Sequence, residues 1–183
     1  MYEKQINNDI FIILFITLML IMIRKLILKS LINNEVFIGS TVNITSLEGE
    51  KDWITNASKN GDVNFAIVEK KTDELIGNCS LMKLDRINRR CTIGIFIGDE
   101  ENRNKGYGVE ALELLLNYAF NFQNMHNINL CVFSFNERAI KCYKKIGFKE
   151  YGRRHEVYFL DGKYYDIVEM EILEDDFKKI IKV

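Results

Sequence analysis

The sequence predicts a single α/β domain built on a mixed, largely antiparallel sheet flanked by helices. Its 183 residues suit one domain. Between residues 93 and 148, strand-like and helix-like segments alternate around a glycine-rich loop. Polar turns separate the strand-like segments before this stretch, and a hairpin pattern follows it. No low-complexity segment or internal repeat interrupts the order.

The composition is that of an ordinary folded protein, with 48% apolar and 28% charged residues. A net charge of −1 favours neither nucleic acid nor an anionic membrane as a partner. The four cysteines form no Cys-x-x-Cys pair, so we expect reduced thiols in a cytoplasmic protein. Neither histidine, His126 or His155, has a partner at metal-ligand spacing, so no metal is expected.

The N-terminus is atypical, because all but one of the residues from Ile10 to Ile23 are strongly apolar. This run is shorter than the roughly 20 residues that a membrane-spanning helix needs, and no cleavage site follows it. Three interpretations stay open: a buried helix or strand, a membrane-associating segment aided by Arg24 and Lys25, or a segment with an altered reading frame. We therefore divide the chain into an atypical segment, 1–32, and one domain, 33–183.

The pattern becomes conventional from Ser46, which can cap a helix predicted from about Leu47 to Lys59. Alternation and flanking turn residues then predict a series of strands. These strands are Asn64–Glu69, Leu75–Leu84, Arg90–Ile97 and Ile128–Phe133.

Two further helices and a hairpin complete the predicted fold. Apolar residues recur at helical spacing from Val109 to Phe122. The next helix begins after Asn136, a good N-cap, and stops at Gly147. Arg153–Leu160 and Lys163–Ile172 form the hairpin around an Asp-Gly turn.

The glycine-rich loop spans residues 103–108 and reads Arg-Asn-Lys-Gly-Tyr-Gly. Its glycines permit a tight turn and close approach by a ligand, and the next helix directs N–H groups and its positive dipole end to the same place. With Arg103 and Lys105 nearby, such a loop suits a phosphate or pyrophosphate. It matches neither the Walker nor the dinucleotide pattern. An ordinary tight strand-to-helix turn is the alternative.

Two signatures of this stretch resemble those of the GNAT N-acetyltransferase superfamily. Residues 103–108 have the pattern Arg-x-x-Gly-x-Gly of its acetyl-CoA pyrophosphate loop. Residues 136–148, with Asn-x-x-Ala-x-x-x-Tyr-x-x-x-Gly-Phe, are similar to its second signature. The resemblance covers about residues 33–172 and is strongest to the branch of ribosomal-protein alanine and spermidine acetyltransferases. It implies a sheet that splays between the fourth and fifth strands and leaves room for pantetheine.

The resemblance implies acetyl-CoA as the acyl donor. The pantetheine arm would pair with the backbone of Phe96 and Ile97 and contact Asn136 and Ala139, although Asn136 can also serve only as an N-cap. Backbone N–H groups near Ile95 and Phe96 would stabilise the oxyanion. The pyrophosphate would be bound by Arg103, Asn104, Lys105, Gly106, Tyr107 and Gly108.

Tyr143 is the candidate general acid, since a phenol with a pKa of about 10 can protonate a leaving thiolate whose thiol pKa is about 8.5. A purely structural aromatic residue is the alternative. The base is open, because Thr92 stands where relatives often have Glu. A water chain, a carboxylate at residues 99–101, or no strong base would then be used. Hairpin residues that could face a cationic amine are Tyr158, Asp161, Tyr164 and Asp166.

These features predict acetyl-CoA-dependent N-acetylation of a small amine, a polyamine or a protein N-terminus, by direct transfer without a covalent enzyme intermediate. The alternative is a catalytically impaired acyl-CoA-binding module, attached to a membrane through residues 10–23. A second copy of the chain is a candidate partner, because dimers are common in the family that the sequence resembles.

Overall fold

A computed structural model of the chain describes residues 9–14, 61–98 and 100–181. A short 3-10 helix at Glu100–Asn102 precedes the first α-helix, and a π-helical turn at Tyr118–Phe122 follows it. The described α-helices are α1 (Tyr107–Asn117), α2 (Glu137–Ile146) and α3 (Glu174–Ile181). The described strands are β1 (Ile10–Leu14), β2 (Val63–Glu69), β3 (Leu75–Asp85), β4 (Arg90–Ile97), β5 (Asn127–Phe133), β6 (Lys149–Leu160) and β7 (Lys163–Leu173).

The chain divides into two compact units, residues 1–80 with 95–115 and residues 81–94 with 116–183. In the first unit the strands follow the order β1-β2-β3-β4. The four consecutive residues 65–68 of β2 are all buried, as expected for a strand covered on both faces. The core of this unit also contains apolar residues of α1, which are Ala111, Leu112 and Leu115.

Strand β1 answers part of the question raised by the apolar N-terminus. Ile10–Leu14 pairs antiparallel with β2, with Ile10 opposite Glu69 and Leu14 opposite Phe65. Ile10 is almost completely buried. The structure therefore favours a strand for these five residues, with Ile10 in the core. Residues 15–60, which include the domain boundary expected at residue 32 and the helix predicted at 47–59, lie outside the described residues.

The second unit contains the order β3-β4-β5-β7-β6. Strand β4 runs parallel to β5, whereas β7 runs antiparallel to both β5 and β6. The buried residues of β5 alternate, as in a half-buried strand, and the core of this unit also contains Tyr143 and Ile146 of α2 and Phe177 of α3. The predicted α/β fold with a mixed, largely antiparallel sheet flanked by helices is confirmed.

The pairing of β4 with β5 is short. It joins Arg90–Thr92 to Asn127–Asn129 and ends there, although both strands continue for several residues. The predicted splay between the fourth and fifth strands is therefore confirmed. A strand that leaves its ladder presents backbone N–H and C=O groups that an extended ligand can bind.

Most strand bounds agree with the sequence pattern to within one residue, two elements begin earlier than predicted, and one helix was not predicted. Helix α1 begins at Tyr107, two residues earlier than predicted. Strand β6 begins at Lys149 instead of Arg153; its exposed polar residues and the register shift at Gly152 hide the alternation there. The sequence pattern did not predict α3, a helix of eight residues with an acidic first turn and a buried Phe177.

No helix among the described residues combines the length and the apolar character needed to cross a bilayer. The cytoplasmic location expected from the sequence stays a prediction.

Gly77 allows β4 to lie unusually close to β3. A Cβ atom at Gly77 would lie 2.2 Å from the carbonyl oxygen of Phe96 and 3.2 Å from the Cα of Ile97. Both atoms belong to the backbone, so no side-chain rotation could relieve the contact. Glycine inside a strand often marks such a close backbone approach. The residues of β4 that matter for the site are thus positioned by a glycine of the neighbouring strand.

We expect Gly77→Ala to lower the free energy of unfolding by at least about 1–3 kcal/mol, because the added methyl group would overpack against backbone. The matched control is Gly152→Ala in β6, where the nearest atom to an added Cβ is a Glu169 carboxylate oxygen at 3.4 Å. The control should change stability by no more than about 0.5 kcal/mol. Urea unfolding of both variants measures the difference, and equal midpoints would contradict the close approach.

Candidate functional site

The glycine-rich loop turns directly into α1 at Gly106. Gly106 has a φ of +94°, and its carbonyl oxygen accepts hydrogen bonds from the N–H groups of Val109 (3.0 Å) and Glu110 (3.1 Å). Asn104 also lies in the left-handed region, with a φ of +63°. Among the described residues, no atom lies within 4 Å of a Cβ placed on Gly106. The loop therefore needs glycine here for its conformation, and the glycine faces open space.

The first turn of α1 contains two residues that we had placed in the loop, Tyr107 and Gly108. By helix geometry their N–H groups point out of the helix end, where an anion is favoured by both hydrogen bonding and the dipole. This arrangement is the one expected for a pyrophosphate site. Among the described residues, the hairpin-turn residue Gly162 is equally open, so the open space at Gly106 also fits an ordinary turn. The outward N–H groups of the helix end are what favour a pyrophosphate site.

The two cations of the loop differ in their surroundings. The Arg103 side chain is only 16% exposed, and its Nη1 lies 3.7 Å from a carboxylate oxygen of Glu100. Lys105 is exposed, and its Nζ lies 5.8 Å from the centre of the Tyr107 ring. Arg103 is thus held against the protein rather than solvated at the surface. Lys105 is thus an exposed positive charge near the helix end.

The side chain of Tyr107 is directed away from the loop. It is 7% exposed, and its hydroxyl donates a hydrogen bond to Oε1 of Glu69 at the end of β2. This bond raises the pKa of Tyr107 to about 12 and lowers the pKa of Glu69. Any contact of Tyr107 with a pyrophosphate would therefore come from its backbone N–H and not from its hydroxyl.

Glu110 is a buried carboxylate in the same helical turn. It is 9% exposed, and its Oε1 accepts a hydrogen bond of 3.1 Å from the N–H of Ile10 in β1. Burial raises the pKa of Glu110 above its ordinary value. No local sequence pattern distinguishes Glu110 from an ordinary polar helix residue, because its partner lies 100 positions away.

The backbone hydrogen bonds of β4 show which of its residues face β3 and which face away from it. The N–H of Gly98 donates to the carbonyl of Ile76 in β3 (2.8 Å), and the carbonyl of Phe96 lies against Gly77 of the same strand. Because successive residues direct their N–H and C=O groups to opposite edges of a strand, those of Ile95 and Ile97 point away from β3. Ile95 and Ile97 are therefore better oriented than Phe96 to contact pantetheine or an oxyanion, and the use of all three residues stays a prediction.

Asn136 is the N-cap of α2, as predicted. Its Oδ1 accepts a hydrogen bond of 3.2 Å from the N–H of Ala139, and its carbonyl accepts one from Ile140. At the other end, Gly147 adopts a φ of +104° and closes the helix with left-handed geometry. The cap uses the side-chain oxygen of Asn136, so a contact with a ligand would come from its amide N–H group.

Tyr143 is buried on α2, with an exposed fraction of 9%, and packs edge-on against Phe148 at a ring-centre distance of 5.9 Å. Among the described residues its hydroxyl makes no hydrogen bond. Burial raises the pKa of Tyr143 well above that of a free phenol, so the group stays protonated at neutral pH. That protonation state is the one a general acid requires, and burial also fits the structural alternative.

Thr92 is the last residue of β4 that pairs with β5. Its Oγ1 donates a hydrogen bond of 2.7 Å to Oδ1 of Asn129, the residue opposite it on β5. The hydroxyl proton is thus committed to an amide, and Thr92 has no basic character at neutral pH. Glu100 and Glu101 are exposed, and Asp99 lies outside the described residues.

Two of the four hairpin candidates for the acceptor side, Asp161 and Asp166, have roles within the hairpin itself. Asp166 accepts from the N–H of Glu156 (3.0 Å) and from Arg153 (3.2 Å), and these contacts hold its pKa below the ordinary value. Asp161 occupies the turn, with a φ of +50°. Tyr164 is exposed, whereas Tyr158 stacks with the rings of Phe133 and Phe135. For the two aspartates this favours ordinary hairpin roles.

All four cysteines are free. Burial raises the pKa of Cys79 and of Cys91 to about 12, so neither presents a thiolate at neutral pH. No cluster of metal-ligating side chains occurs among the described residues.

Comparison with known proteins places the chain in one family. Residues 31–149 match the acetyltransferase (GNAT) domain, and the chain belongs to this family. It is 32% identical over 111 residues to a spermidine N(1)-acetyltransferase of Vibrio cholerae, covering 61% of this chain and 64% of that protein. It is 30% identical over 104 residues to the putative ribosomal N-acetyltransferase YdaF of Bacillus subtilis, covering 57% and 58%. The matches thus span less than two thirds of either relative.

A solved structure agrees over a longer range. The Vibrio cholerae spermidine N-acetyltransferase in complex with CoA and spermine superposes with a TM-score of 0.79 at 24% identity, covering 93% of this chain and 99% of that one. At this identity the likeness establishes the fold. The family and the branch predicted from residues 103–108 and 136–148 are confirmed.

The buried Glu110 makes stability depend on pH in a defined direction. Its raised pKa means that folding favours the neutral carboxyl; that stabilisation is full below the ordinary pKa and is lost as pH rises through the folded pKa. Glu110→Gln is neutral at every pH and keeps an oxygen for the N–H of Ile10. We therefore expect its melting temperature to exceed that of the wild type most at about pH 8 and least below about pH 4.5.

The matched control is Glu113→Gln, which removes the same charge one turn later on α1. Thermal unfolding of the wild type and both variants across this pH range measures the effect. A melting-temperature difference for Glu110→Gln that does not change with pH would contradict the assignment.

Proposed function

We propose that this protein is an acetyl-CoA-dependent N-acetyltransferase that transfers the acetyl group directly to a primary amine. The observation that carries the proposal is the turn at Gly106, which opens in front of the N-terminus of α1. Membership of the acetyltransferase family supports the same conclusion. Both features favour a diphosphate-bearing donor over a ligand without phosphate.

The donor would be held by backbone groups more than by side chains. The N–H groups of Tyr107 and Gly108 would be directed at the pyrophosphate, and the exposed Lys105 would add a positive charge. The outward-pointing edge at Ile95 and Ile97 suits an extended pantetheine arm, which would add to β4 as a strand does. Backbone groups in a fixed geometry bind such a ligand without the entropy cost of ordering long side chains.

Acetyl-CoA, when bound, supplies the acetyl group as a reactive thioester. An N–H group of Ile95 or Ile97 would stabilise the negative charge that develops on the carbonyl oxygen. Tyr143 would donate a proton or a hydrogen bond to the sulfur that leaves. Because burial raises its pKa, Tyr143 is a weaker acid than a free phenol, so its contribution belongs at the low end of general acid catalysis, about 10²-fold.

Thr92 cannot take the proton of the amine acceptor, so the amine would arrive neutral or lose its proton to water or to a carboxylate at residues 99–101. A free amine has a pKa of about 10, so only a small fraction is neutral at physiological pH. This limits the rate but does not prevent the reaction. The two relatives are named for spermidine and for a ribosomal substrate, and we propose an acceptor from these classes, a polyamine or a protein N-terminal amine.

A second candidate function is acyl-CoA binding without turnover. The bond between Thr92 and Asn129 favours it, because the position that would supply a base holds a hydroxyl already used as a donor. Both candidates predict donor binding, so turnover on a panel of amines separates them. Association with a second copy of the chain stays a prediction.

Donor binding is tested by Gly106→Glu. The added carboxylate would stand in front of the helix end and repel a pyrophosphate, so we expect affinity for acetyl-CoA to fall at least a hundredfold, about 3 kcal/mol. The control is Gly162→Glu in the hairpin turn, where φ is +78° and the space around a Cβ is also open among the described residues. It should bind like the wild type in calorimetry. Loss of binding in both variants, or in neither, would contradict the assigned site.

The role of Tyr143 is tested by Tyr143→Phe. The ring is kept, so the affinity for acetyl-CoA should not change, whereas kcat should fall about a hundredfold because the proton donor is lost. The control is Tyr151→Phe, which removes a hydroxyl from an exposed tyrosine of β6. Steady-state kinetics at saturating donor measure kcat. An unchanged kcat would leave Tyr143 with its packing role alone.

A further inference from the structure

The first turn of α1 is anchored to the end of β2 by the hydroxyl of Tyr107. Its acceptor, Glu69, is the last residue of β2, and the backbone of Glu69 closes the turn into β3: its N–H donates to Glu74 and its carbonyl accepts from Asp73, both at 2.9 Å. The second carboxylate oxygen of Glu69 accepts from the hydroxyl of Thr72 at 2.8 Å. Both oxygens are thus engaged, so the carboxylate is a fixed acceptor rather than a mobile surface charge.

A second bond anchors the same face of the helix. Glu110 lies three residues after Tyr107, so the two side chains project from one side of α1. Glu110 accepts from the N–H of Ile10, and Ile10 is the residue directly opposite Glu69 in the β1–β2 ladder. The helix is therefore attached at two points to Ile10 and Glu69, which lie opposite each other on β1 and β2. Two points on one helix face restrict rotation of the first turn about the helix axis.

Tyr107 also supports the basic residue of the loop. The Nζ of Lys105 lies 5.8 Å from the centre of the Tyr107 ring, within the range of a cation–π contact. The backbone N–H of Tyr107 is itself one of those that point out of the helix end. Tyr107 thus combines three features: a hydroxyl bonded to the carboxylate of Glu69, a backbone N–H that points out of the helix end, and a ring that Lys105 contacts.

We propose that Glu69, acting through Tyr107, is a positioning residue for the pyrophosphate of the acyl donor. The proposal rests on the proposed function and adds a residue 38 positions from the loop to its donor site. Anion binding by N–H groups depends on their direction, and a shift of about 0.5 Å or 10–20° is enough to weaken such a site. Loss of the hydroxyl bond frees the first turn to make such a shift.

A purely structural role would lower stability without selecting among ligands. We therefore compare two donors: acetyl-CoA, which contains the pyrophosphate, and S-acetylpantetheine, which lacks it. In Tyr107→Phe the ring and its contact with Lys105 are kept and only the hydroxyl is lost. We expect KM for acetyl-CoA to rise about tenfold. The KM for S-acetylpantetheine should not change, and kcat should stay within about twofold of the wild type.

Variants of the acceptor give an independent readout. Glu69→Ala should reproduce the tenfold rise, and combining it with Tyr107→Phe should add little, because both remove the same bond. Glu69→Gln retains an oxygen for the tyrosine and should restore most of the affinity. The control is Tyr118→Phe, since Tyr118 follows α1 and its hydroxyl accepts from Gln123 at 2.7 Å. It should leave both KM values unchanged.

The outcomes separate this proposal from the proposed function. If the wild type does not bind acetyl-CoA in calorimetry, both are overturned. If the wild type binds and Tyr107→Phe has the same KM for acetyl-CoA, only the positioning role is overturned. A rise in KM for both donors would show a general distortion and would also overturn it. Should Tyr107→Phe fail to fold, the comparison of Glu69→Gln with Glu69→Ala decides the question by the same criteria.

Discussion

The attachment of α1 to the β1–β2 ladder is the constraint on which the proposed acyl-donor site depends. A helix N-terminus binds an anion only if its N–H groups are aimed, and a short loop containing Gly106 cannot aim them by itself. Tyr107 and Glu110 transfer the rigidity of two paired strands to the first turn. The loop can then stay open toward a ligand, because the helix behind it provides the order.

Close backbone approach plays the corresponding part for the strand edge. Gly77 lets β3 contact Phe96 and Ile97 at a distance that no other residue would allow, and this fixes which residues of β4 face outward. The ladder between β4 and β5 ends at Thr92, so the outward edge is not consumed by another strand. Backbone atoms rather than reactive side chains therefore supply most of what an acyl donor would contact, which fits chemistry that is dominated by positioning.

The prediction from sequence succeeded where the signal is local. The cap at Asn136, the stop at Gly147 and the turn at Gly106 each depend on conformations within a few residues, and all three were recognisable from residue type and spacing. It failed for Glu69 and Glu110, whose partners lie 38 and 100 positions away. A glutamate at the end of a strand or in a first helical turn looks ordinary until folding brings a tyrosine hydroxyl or a backbone N–H against it.

The sequence by itself determined the family, the order of strands and helices between residues 63 and 173, and the position of the glycine-rich loop, because hydrophobic periodicity and turn chemistry depend on neighbouring residues. Only the tertiary structure decided that Ile10–Leu14 is a strand, that Phe96 faces β3, and that Tyr107 points at Glu69. The physical reason is direction: a pattern shows that a residue lies in a strand or helix, but the edge or neighbour that it faces is set by packing between segments distant in the chain.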